Sequence, residues 1–415
     1  MKFKVGKSTL QGVVNISGAK NSGLKLLTAS ILSEEEIVLP KFPCKLLDVE
    51  VHLGMLEALG KTVTVDDESR VSIEEKSVLK NELVWEERSI RNTLLILGCL
   101  LTRTGFGKVP LPGGCKLGER KYDLHVDIFE SMGAEVWEEE NYLCAKSTGR
   151  LKGTDIYLPM RSTGATENAI LCGTLAEGKT TVWNPHIRPE ILDLIDMLKK
   201  MGANISVYGQ QKIEIRGMSR LHGVSHQVIP DNMEALTWLI ASVVTKGQVQ
   251  INNFPFEHLE IPLIHLRESG VEYFRKDNAL IVGPLEHFPV EISTGPYPGI
   301  NSDMQPLFAI FGATTKGVST IVDLRFPGRY GYAEEMGKMG VDSSVDNGML
   351  KIKGGNPLTG AEVVALDLRA GICLLIAGLV ADGETVISNA WQILRGYENI
   401  FEKLTSLGAS IETIE

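Results

Sequence analysis

The pattern of apolar and polar positions along this 415-residue chain repeats six times. In each copy, apolar residues at helical spacing lead to a glycine, and a stretch with the two-residue period of a β-strand follows. The copies read LEALGKTVTV, FESMGAEVW, LKKMGANISV, LRESGVEYF, MGKMGVDSSV and LTSLGASIET. A recurrence this regular predicts one supersecondary unit present in six copies.

The glycines of these copies follow one another at intervals of 73, 69, 68, 70 and 68 residues. They are Gly60, Gly133, Gly202, Gly270, Gly340 and Gly408. Glycine is favoured there because a helix commonly ends in a left-handed residue, where a Cβ atom would clash. A second set between an apolar helix and a strand runs in phase with the first, at Gly178, Gly247, Gly317 and Gly383. Each unit is therefore predicted to hold about two helices and several strands in mixed α/β order.

Six units of this size divide most simply into two domains of three. The crossing between the domains is predicted near HQVIPDN, residues 226–232, between the third and fourth units. The strand before Gly18 could pair with the last unit, which would make one domain discontinuous. The predicted domains are residues 20–228, which carry the segment LPGGCKLGER, and residues 1–19 together with 229–415.

Composition and charge narrow the class of protein. Hydrophobic residues make up 43% of the chain and charged residues 23%, as in ordinary globular domains. No apolar run reaches the roughly 18 residues of a membrane span, and the N-terminus shows no signal-peptide core, so the cytoplasm is expected. Six cysteines without paired spacing agree with a reducing compartment. The net charge of −10 argues against nonspecific nucleic-acid binding but not against small anionic substrates.

The segment LPGGCKLGER, residues 111–120, is the strongest candidate for chemistry and occurs in only one of the six units. Its three glycines predict a mobile loop. Cys115 in its middle is expected to be exposed beside cations, an environment that lowers a thiol pKa towards neutrality. A flexible turn with an incidental cysteine is the competing interpretation. Cys99, Cys172 and Cys373 lie in apolar helical stretches and are predicted to be small buried hydrophobes.

Basic residues beside predicted strand ends form a second candidate. Any one of them is most simply a surface charge, but together they suggest an anion site, since Arg forks suit carboxylate and phosphate. These residues are Lys20, Arg91, Arg120, Arg329, Arg369 and Arg395. Two carboxylates, Asp303 and Asp367, precede apolar helical runs, where a helix cap is the alternative to a functional role. Asp231 is interpreted as a cap.

Several motifs are missing from the sequence. It has no GxxxxGK[ST] phosphate loop, no convincing GxGxxG after a strand, and no His/Cys cluster with zinc spacing. The nearest histidine pair, His222 and His226, has no third ligand nearby in the sequence. We therefore expect no cofactor and no metal.

Six motifs occur in order over nearly the whole chain: SGAKNS, LPGGCKLGER followed by DLH, STGATEN, SDMQ, DLRA and RGYE. Together they resemble the enolpyruvyl transferase family, in the branch that acts on UDP-N-acetylglucosamine. The motifs of the sister branch, 5-enolpyruvylshikimate-3-phosphate synthase, are not found. The resemblance implies an α/β (mixed α+β) fold of two inside-out α/β barrels, each of three βαβαββ-like units. It also implies an active site in the cleft between the barrels.

The reaction implied by the resemblance moves the enolpyruvyl group from phosphoenolpyruvate to the 3-hydroxyl of UDP-N-acetylglucosamine and releases phosphate, the first committed step of peptidoglycan synthesis. By the same resemblance Cys115 protonates the methylene carbon, Asp303 takes the hydroxyl proton, and the family's cysteine is alkylated by fosfomycin. Lys20 and Arg395 complete the implied catalytic set. The implied substrate-binding residues are Asn21, Arg91, Arg120, Lys121, Tyr122, Asp123, Leu124, Ser162, Thr163, Gly164, Arg325, Arg329, Asp367, Leu368 and Arg369. The partners expected are these two small substrates, with no nucleic acid and no membrane.

Departures from the family pattern fall mostly on the acceptor side. They are Asn232 in PDNME, Ile187 and Arg188 in HIRPEI, Pro327 and Gly328 in FPGRY, Lys121 and Tyr122 after Arg120, and Leu394 before Arg395. Two alternatives therefore stay open. One is a divergent enolpyruvyl transferase that uses another nucleotide or sugar acceptor. The other is a non-catalytic regulatory paralogue, although such a protein would be expected to lose the donor set that this chain keeps.

Overall fold

The structure is a computed structural model and describes residues 1–112 and 122–414. The predicted site residues Cys115, Arg120 and Lys121 lie outside the described residues. The described chain forms two compact units, which we name by their continuity along the sequence. The discontinuous unit comprises residues 1–17 and 230–415, and the continuous unit comprises residues 18–229.

Strands and helices alternate along the chain. The strands are β1 Lys2–Gly6, β2 Gln11–Asn15, β3 Ile37–Leu39, β4 Thr62–Val65, β5 Val71–Glu74, β6 Phe106–Pro110, β7 Ala134–Glu139, β8 Tyr142–Ser147, β9 Asp155–Tyr157, β10 Lys179–Trp183, β11 Asn204–Tyr208, β12 Lys212–Arg216, β13 Val224–Ser225, β14 Gln248–Asn252, β15 Tyr273–Lys276, β16 Ala279–Val282, β17 Glu291–Ser293, β18 Gly317–Val322, β19 Asp342–Asp346, β20 Met349–Gly354, β21 Glu362–Val364, β22 Glu384–Ser388 and β23 Ser410–Ile414.

The α-helices are α1 Lys20–Ala29, α2 Leu47–Ala58, α3 Thr93–Thr104, α4 Asp123–Ser131, α5 Thr163–Thr174, α6 Pro189–Lys200, α7 Asn232–Val244, α8 Glu260–Glu268, α9 Gln305–Ala313, α10 Gly331–Gly337, α11 Leu368–Val380, α12 Trp391–Leu394 and α13 Ile400–Ser406. Short 3-10 helices lie at Ser30–Leu32, Phe256–His258 and Ser302–Met304.

Each of the six repeats has its own small sheet. In the third repeat, for example, β9 lies parallel to β10, and β10 pairs antiparallel with β12, the second strand of a hairpin with β11. The same order recurs in four other sheets of the described chain. In the second repeat three strands form the sheet, and a single parallel bridge between Glu82 and Lys108 stands where the first strand would be.

Strands from distant parts of the chain complete three of the repeats. The N-terminal strand β1 pairs antiparallel with β22 and β23, so it fills the position in the last repeat that β12 has in the third. The expected pairing of the N-terminal strand with the last repeat is thus confirmed. Strand β2 lies parallel to β14, and β13 lies parallel to β3.

The predicted helix-ending glycines are left-handed in all six repeats. Their φ angles lie between 85° and 101°, a region that residues with a Cβ atom rarely adopt. One member of the second glycine set behaves differently, because Lys246 takes the left-handed conformation (φ 52°) next to Gly247. A Cβ atom on Gly247 would lie 2.0 Å from the carbonyl oxygen of Leu10, so glycine is required there by close packing.

The most apolar helices form the interior of each unit. Helices such as α3 and α11 are apolar nearly all round and buried along almost their whole length, which is typical of a helix covered on every side. Each unit has a separate hydrophobic core, built from its own residues. Cys99, Cys172 and Cys373 are fully buried in these cores, as predicted. Burial raises the pKa of the Cys172 thiol to about 12.

Two further observations concern the described residues as a set. Within residues 1–112 and 122–414, no helix combines the length and apolar content that a membrane crossing requires. The cysteines of the same residues form no disulfide.

Candidate functional site

A cluster of two carboxylates and two guanidiniums lies in the discontinuous unit. Arg329 Nη1 is 2.8 Å from Asp303 Oδ1, and Arg329 Nη2 is 3.5 Å from Asp367 Oδ2. Arg369 Nε is 3.4 Å from Asp303 Oδ2, so the two arginines hold both oxygens of that carboxylate. Four of the residues that the sequence singled out are therefore in mutual contact.

Local structure explains how the two carboxylates are placed. Asp303 lies in the 3-10 helix Ser302–Met304, and the side chain of Asn301 caps that helix by accepting a hydrogen bond from the Asp303 amide. Asp367 is the N-cap of α11, and its Oδ1 accepts two backbone N–H groups of the first turn at 2.7 and 2.9 Å. Its other oxygen faces Arg329. The cap interpretation of Asp367 and the functional one are thus both compatible with its geometry.

Asp323 organises the same cluster, and sequence reasoning missed it. Its buried carboxylate accepts from the Ser302 hydroxyl at 2.5 Å and from the backbone N–H groups of Arg325 and Phe326 at 2.9 Å. Asp323 therefore fixes both the turn before Arg329 and the residue next to Asp303. The sequence signal for Asp323 is its position directly after β18.

The electrostatics of the cluster keep its arginines charged. Burial opposes the charge on Arg329, but the neighbouring Asp303 and Asp367 outweigh it and raise the pKa of the guanidinium. Arg369 is buried and donates through Nη1 to the hydroxyl of Tyr397 at 3.3 Å. Burial raises the pKa of Tyr397, so its phenol stays protonated near neutral pH. A buried guanidinium flanked in this way can hold an anionic group.

The remaining predicted residues of the discontinuous unit have separate placements. Arg395 is buried at the end of α12 and donates to Gln392 Oε1 at 2.8 Å. Arg325 is exposed, with its guanidinium 5.2 Å from the centre of the Phe326 ring. Leu368 is buried as the first residue of α11.

In the continuous unit, the ammonium of Lys20 is buried against a carboxylate. Lys20 Nζ is 2.7 Å from Asp48 Oδ2, and the guanidinium of Arg88 contacts the other oxygen of Asp48. Lys20 begins α1, followed by the half-buried Asn21, and Asp48 lies in the first turn of α2. Arg91 is half-buried three residues after Arg88, just before α3. Sequence reasoning missed Asp48, although an acid in the first turn of a helix is a recognisable signal.

The predicted Ser162–Gly164 segment opens α5. The Ser162 hydroxyl caps the helix by accepting from the Ala165 amide at 3.4 Å. The Thr163 hydroxyl is 2.9 Å from His186 Nδ1. A Cβ atom on Gly164 would lie 3.1 Å from the ring of His125, so the absence of a side chain lets the helix approach that histidine.

The segment Tyr122–Leu124 leads into α4. The hydroxyl of Tyr122 donates to Glu138, and this hydrogen bond raises the pKa of Tyr122 to about 12. Asp123 is exposed as the first residue of α4, and Leu124 is half-buried.

A polar cluster is buried among the helices that begin near these residues. Lys25 Nζ on α1 is 2.9 Å from Asn92 Oδ1 and 3.6 Å from Glu167 Oε2 on α5. Asn92 Nδ2 in turn lies 3.3 Å from His52 Nδ1 on α2. Burial raises the pKa of Glu167 to about 7, although Lys25 opposes the shift. Burial also lowers the pKa of His52 and of His125 to about 3, so both imidazoles are neutral.

The positions that depart from the enolpyruvyl transferase pattern fall into two groups. Ile187 and Asn232 are buried, and Arg188 forms a two-point ion pair with the buried Glu190 at 2.7 and 2.8 Å. Pro327 is exposed, while Leu394 is half-buried. Arg188 therefore has a structural partner in its own segment, which accounts for a cation at this position.

The described residues define a protein of two repeated α/β units, each with buried cations at helix N-termini and none of the carboxylate or histidine groupings of three that could hold a metal ion. Residues 5–404 match the family of EPSP synthase (3-phosphoshikimate 1-carboxyvinyltransferase). The chain belongs to this family of enolpyruvyl transferases, and the resemblance seen in its motifs is confirmed.

Two relatives that match this chain over nearly its whole length share the name of one enzyme. The chain is 41% identical to UDP-N-acetylglucosamine 1-carboxyvinyltransferase of Actinobacillus succinogenes, over 99% of both chains. It is also 41% identical to UDP-N-acetylglucosamine 1-carboxyvinyltransferase 2 of Carboxydothermus hydrogenoformans, over 100% of this chain and 99% of the relative.

Solved structures agree on the fold. The enolpyruvyl transferase NikO from Streptomyces tendae superposes with a TM-score of 0.90 at 25% identity, covering 99% of this chain and 98% of that one. EPSP synthase from Acinetobacter baumannii superposes over the whole of both chains with a TM-score of 0.74 at 19% identity, which speaks to the fold alone. The prediction of two inside-out α/β barrels with six repeats is confirmed.

Proposed function

We propose that this protein transfers the enolpyruvyl group of phosphoenolpyruvate to the 3-hydroxyl of UDP-N-acetylglucosamine and releases phosphate. The observation that carries the proposal is the 39–41% identity, over the full chain, to relatives that all bear the name of this activity. The product is a precursor of peptidoglycan, so the enzyme would be a transferase of cell-wall synthesis.

The donor has a phosphate and a carboxylate, and both need cations. In the continuous unit, we assign Lys20 and Arg91 to this task, since an ammonium and a fork-shaped guanidinium suit these two anions. Arg120 and Arg395 would share it. The cations would also stabilise the negative charge that develops during addition.

Addition begins when the acceptor 3-hydroxyl oxygen bonds to C2 of phosphoenolpyruvate. Asp303 takes the hydroxyl proton, while Cys115 delivers a proton to the C3 methylene carbon. Asp303 suits the role because its side chain stays 29% exposed, and two arginines orient both of its oxygens. Elimination reverses the proton step at C3 and breaks the bond between C2 and the phosphate oxygen, which leaves the enolpyruvyl ether and free phosphate.

A further set of residues is assigned to binding the nucleotide sugar, which is the acceptor of the reaction. Asn21, the segment Tyr122–Leu124 and the segment Ser162–Gly164 would hold it in the continuous unit, with Arg120 and Lys121. In the discontinuous unit the substrate-binding residues would be Arg325, Arg329, Asp367, Leu368 and Arg369. We also propose the cytoplasm as the compartment, which agrees with the absence of disulfides among the described cysteines.

Phosphate release from phosphoenolpyruvate, measured with and without UDP-N-acetylglucosamine, tests the proposal directly. We expect release that requires the sugar nucleotide. Binding of phosphoenolpyruvate without release would point to a different nucleotide or sugar acceptor. Absence of both binding and release would favour the non-catalytic alternative.

Cys115→Ser is the matched variant for this assay. A thiol that protonates carbon is replaced by a hydroxyl of much higher pKa, so turnover should fall by about 100-fold or more. The same variant should resist inactivation by fosfomycin, which is expected to inactivate the wild type. Unchanged turnover in Cys115→Ser would remove the cysteine from the mechanism but leave the transfer reaction itself in place.

A further inference from the structure

Asp48 is a buried carboxylate of the continuous unit that lies between two cations. Its side chain is 4% exposed, and each of its two oxygens contacts a different cation, Lys20 or Arg88. A carboxylate removed from water is stable only where cations or donors surround it. The contact between Asp48 and Lys20 is therefore a fixed feature of the interior.

The second contact of Asp48 reaches the segment that carries Arg91. Arg88 is bound through its side chain to Asp48, and its carbonyl oxygen accepts from the indole Nε1 of Trp85 at 3.2 Å. Trp85 packs on α2, because a Cβ atom on Gly54 of that helix would lie 2.8 Å from the indole ring. One end of the segment 88–92 is thus docked against the helix that carries Asp48.

The other end of the segment is held by α1. Asn92 Nδ2 donates to the carbonyl oxygen of Leu24 at 2.9 Å and to the Thr28 hydroxyl at 2.7 Å. Arg91 lies between these two attachments. Asp48 therefore links the beginning of α1, with Lys20, to the segment that places Arg91.

We propose that Asp48 is a positioning residue for enolpyruvyl transfer, whose buried carboxylate holds Lys20 and the Arg88–Arg91 segment in the arrangement that receives phosphoenolpyruvate. This inference rests on the proposed function. Asp48 does not touch the substrate. It fixes the position and the charge of the ammonium that does.

The charged groups around Lys20 determine how removal of the Asp48 carboxylate would affect the ammonium. Asp48 on α2 faces Lys20 directly, Arg88 and Arg91 precede α3, and Asp193 on α6 is bound to the hydroxyl of Ser22 two residues along α1. Without the Asp48 carboxylate, the ammonium would keep its cationic neighbour Arg88 and lose the carboxylate that the two share. Lys20 would then give up its proton at a lower pH.

The chain offers a close control. Glu75 lies between Lys61 and Arg103, at 2.8 and 2.6 Å, in the same unit, so it is likewise a carboxylate held between a lysine and an arginine. The side chain of Glu75 is 11% exposed, comparable to Asp48. Glu75→Gln breaks an equivalent buried triad that the proposed reaction does not use, so it reports the effect of lost stability alone.

The experiment compares steady-state kinetics of Asp48→Asn, Glu75→Gln and the wild type. In Asp48→Asn we expect kcat/KM for phosphoenolpyruvate to fall about 10- to 100-fold, as small misplacements of a binding group do. The alkaline limb of its pH profile should move to lower pH. Glu75→Gln should keep the wild-type profile, and Asp48→Glu should recover part of the loss. Equal effects in Asp48→Asn and Glu75→Gln would overturn the proposal.

A second measurement does not depend on turnover. In protein labelled with ¹³C at the lysine ε carbon, the Lys20 signal is assigned from its loss in Lys20→Arg and is followed by NMR across the alkaline range. We expect the signal to titrate at lower pH in Asp48→Asn, or to a smaller extent in Asp48→Glu if the former does not fold. A Lys20 titration that is the same in all forms would refute the inference. Wild-type protein without phosphate release would refute the proposed function only, and the titration would still decide the role of Asp48.

Discussion

The charged cluster around Asp303 in the discontinuous unit and the polar cluster around Lys25 in the continuous unit are buried in different ways. In the charged cluster, buried charges meet opposite charges: Arg369 faces Asp303 through Nε, and its Nη1 donates to the hydroxyl of Tyr397. In the continuous unit, the polar cluster around Lys25 consists largely of groups that burial keeps neutral or partly neutral, namely His52, His125 and Glu167.

Hydrogen bonding sharpens the difference. Among the described residues of the continuous unit, Glu167 Oε1, Asn168 Oδ1 and His52 Nε2 are buried without a hydrogen-bond partner. Such atoms are costly inside a protein, and the cost is lower when the group is uncharged. The carboxylate–guanidinium cluster therefore keeps its side chains charged, whereas the polar cluster around Lys25 makes the stability of the continuous unit depend on protonation.

The largest effect that we predict follows from removing the charge of Asp303, which tests whether the charged cluster takes part in chemistry. Asp303→Asn keeps the shape of the side chain but cannot accept a proton from the acceptor hydroxyl. We expect kcat to fall by about 10²- to 10⁴-fold, the usual contribution of a general base. Binding of UDP-N-acetylglucosamine, measured by calorimetry, should remain.

The control for this variant is Asp346→Asn, an exposed acid of the same unit. It should leave both turnover and binding at wild-type levels. Normal turnover in Asp303→Asn would mean that the carboxylate only holds the two arginines in place.

Protonation in the continuous unit can be tested through Glu167. Its pKa is raised from 4.5 to about 7 in the fold, so its contribution to stability is present below pH 4.5 and is lost as pH rises to about 7. His52 and His125 have pKa values lowered from 6.5 to about 3, so their contribution is lost as pH falls below 6.5. Between pH 4.5 and 6.5 the two effects oppose each other.

Glu167→Gln removes the pH-dependent contribution of Glu167 to stability and leaves the contributions of the two histidines. The thermal unfolding midpoint of the variant should rise more steeply between pH 4.5 and 6.5 than that of the wild type. Glu130→Gln, which changes an exposed glutamate of the same unit, should keep the wild-type slope. Parallel curves for Glu167→Gln and the wild type would show that Glu167 is ionised throughout this range.

The sequence predicted the features that local chemistry determines. Six left-handed glycines and the Asp231 cap, whose carboxylate accepts from the Met233 and Glu234 amides, follow from backbone sterics and short-range hydrogen bonds. The contact among Asp303, Arg329 and Arg369 was suggested only by residue type and by resemblance. Asp303 and Arg329 belong to one repeat and Arg369 to the next, and their distances depend on the packing of helices that no local pattern encodes.

The missed residues share one property. Asp48 and Asp323 are buried acids whose partners lie tens of residues away, Lys20 and Arg88 for the first and Ser302 for the second. A buried acid and an exposed acid in the first turn of a helix look alike in a single sequence. The packing of the unit decides which of them acquires a function.

The smallest effect that we predict concerns Tyr397, which contacts the charged cluster of the discontinuous unit. The Tyr397 hydroxyl lies 3.3 Å from Arg369 Nη1 and 2.9 Å from Thr237 Oγ1, so it links the charged cluster to α7. Tyr397→Phe removes this link and leaves a buried donor of Arg369 without its acceptor. We expect a loss of about 1 kcal/mol in the free energy of unfolding, measured in urea, and a fall of several-fold in kcat.

Tyr332→Phe separates the two expected effects. Tyr332 is also buried in the discontinuous unit, and its hydroxyl donates to Gln305 Oε1, whereas that of Tyr397 accepts from Arg369. The two variants should lose similar amounts of the free energy of unfolding, because each removes one buried hydroxyl that is hydrogen-bonded in the wild type. Only Tyr397→Phe should also lower kcat, since only its hydroxyl helps to orient the guanidinium that holds Asp303. Equal kcat values in the two variants would place Tyr397 in the core packing and leave Arg329 as the group that orients the base.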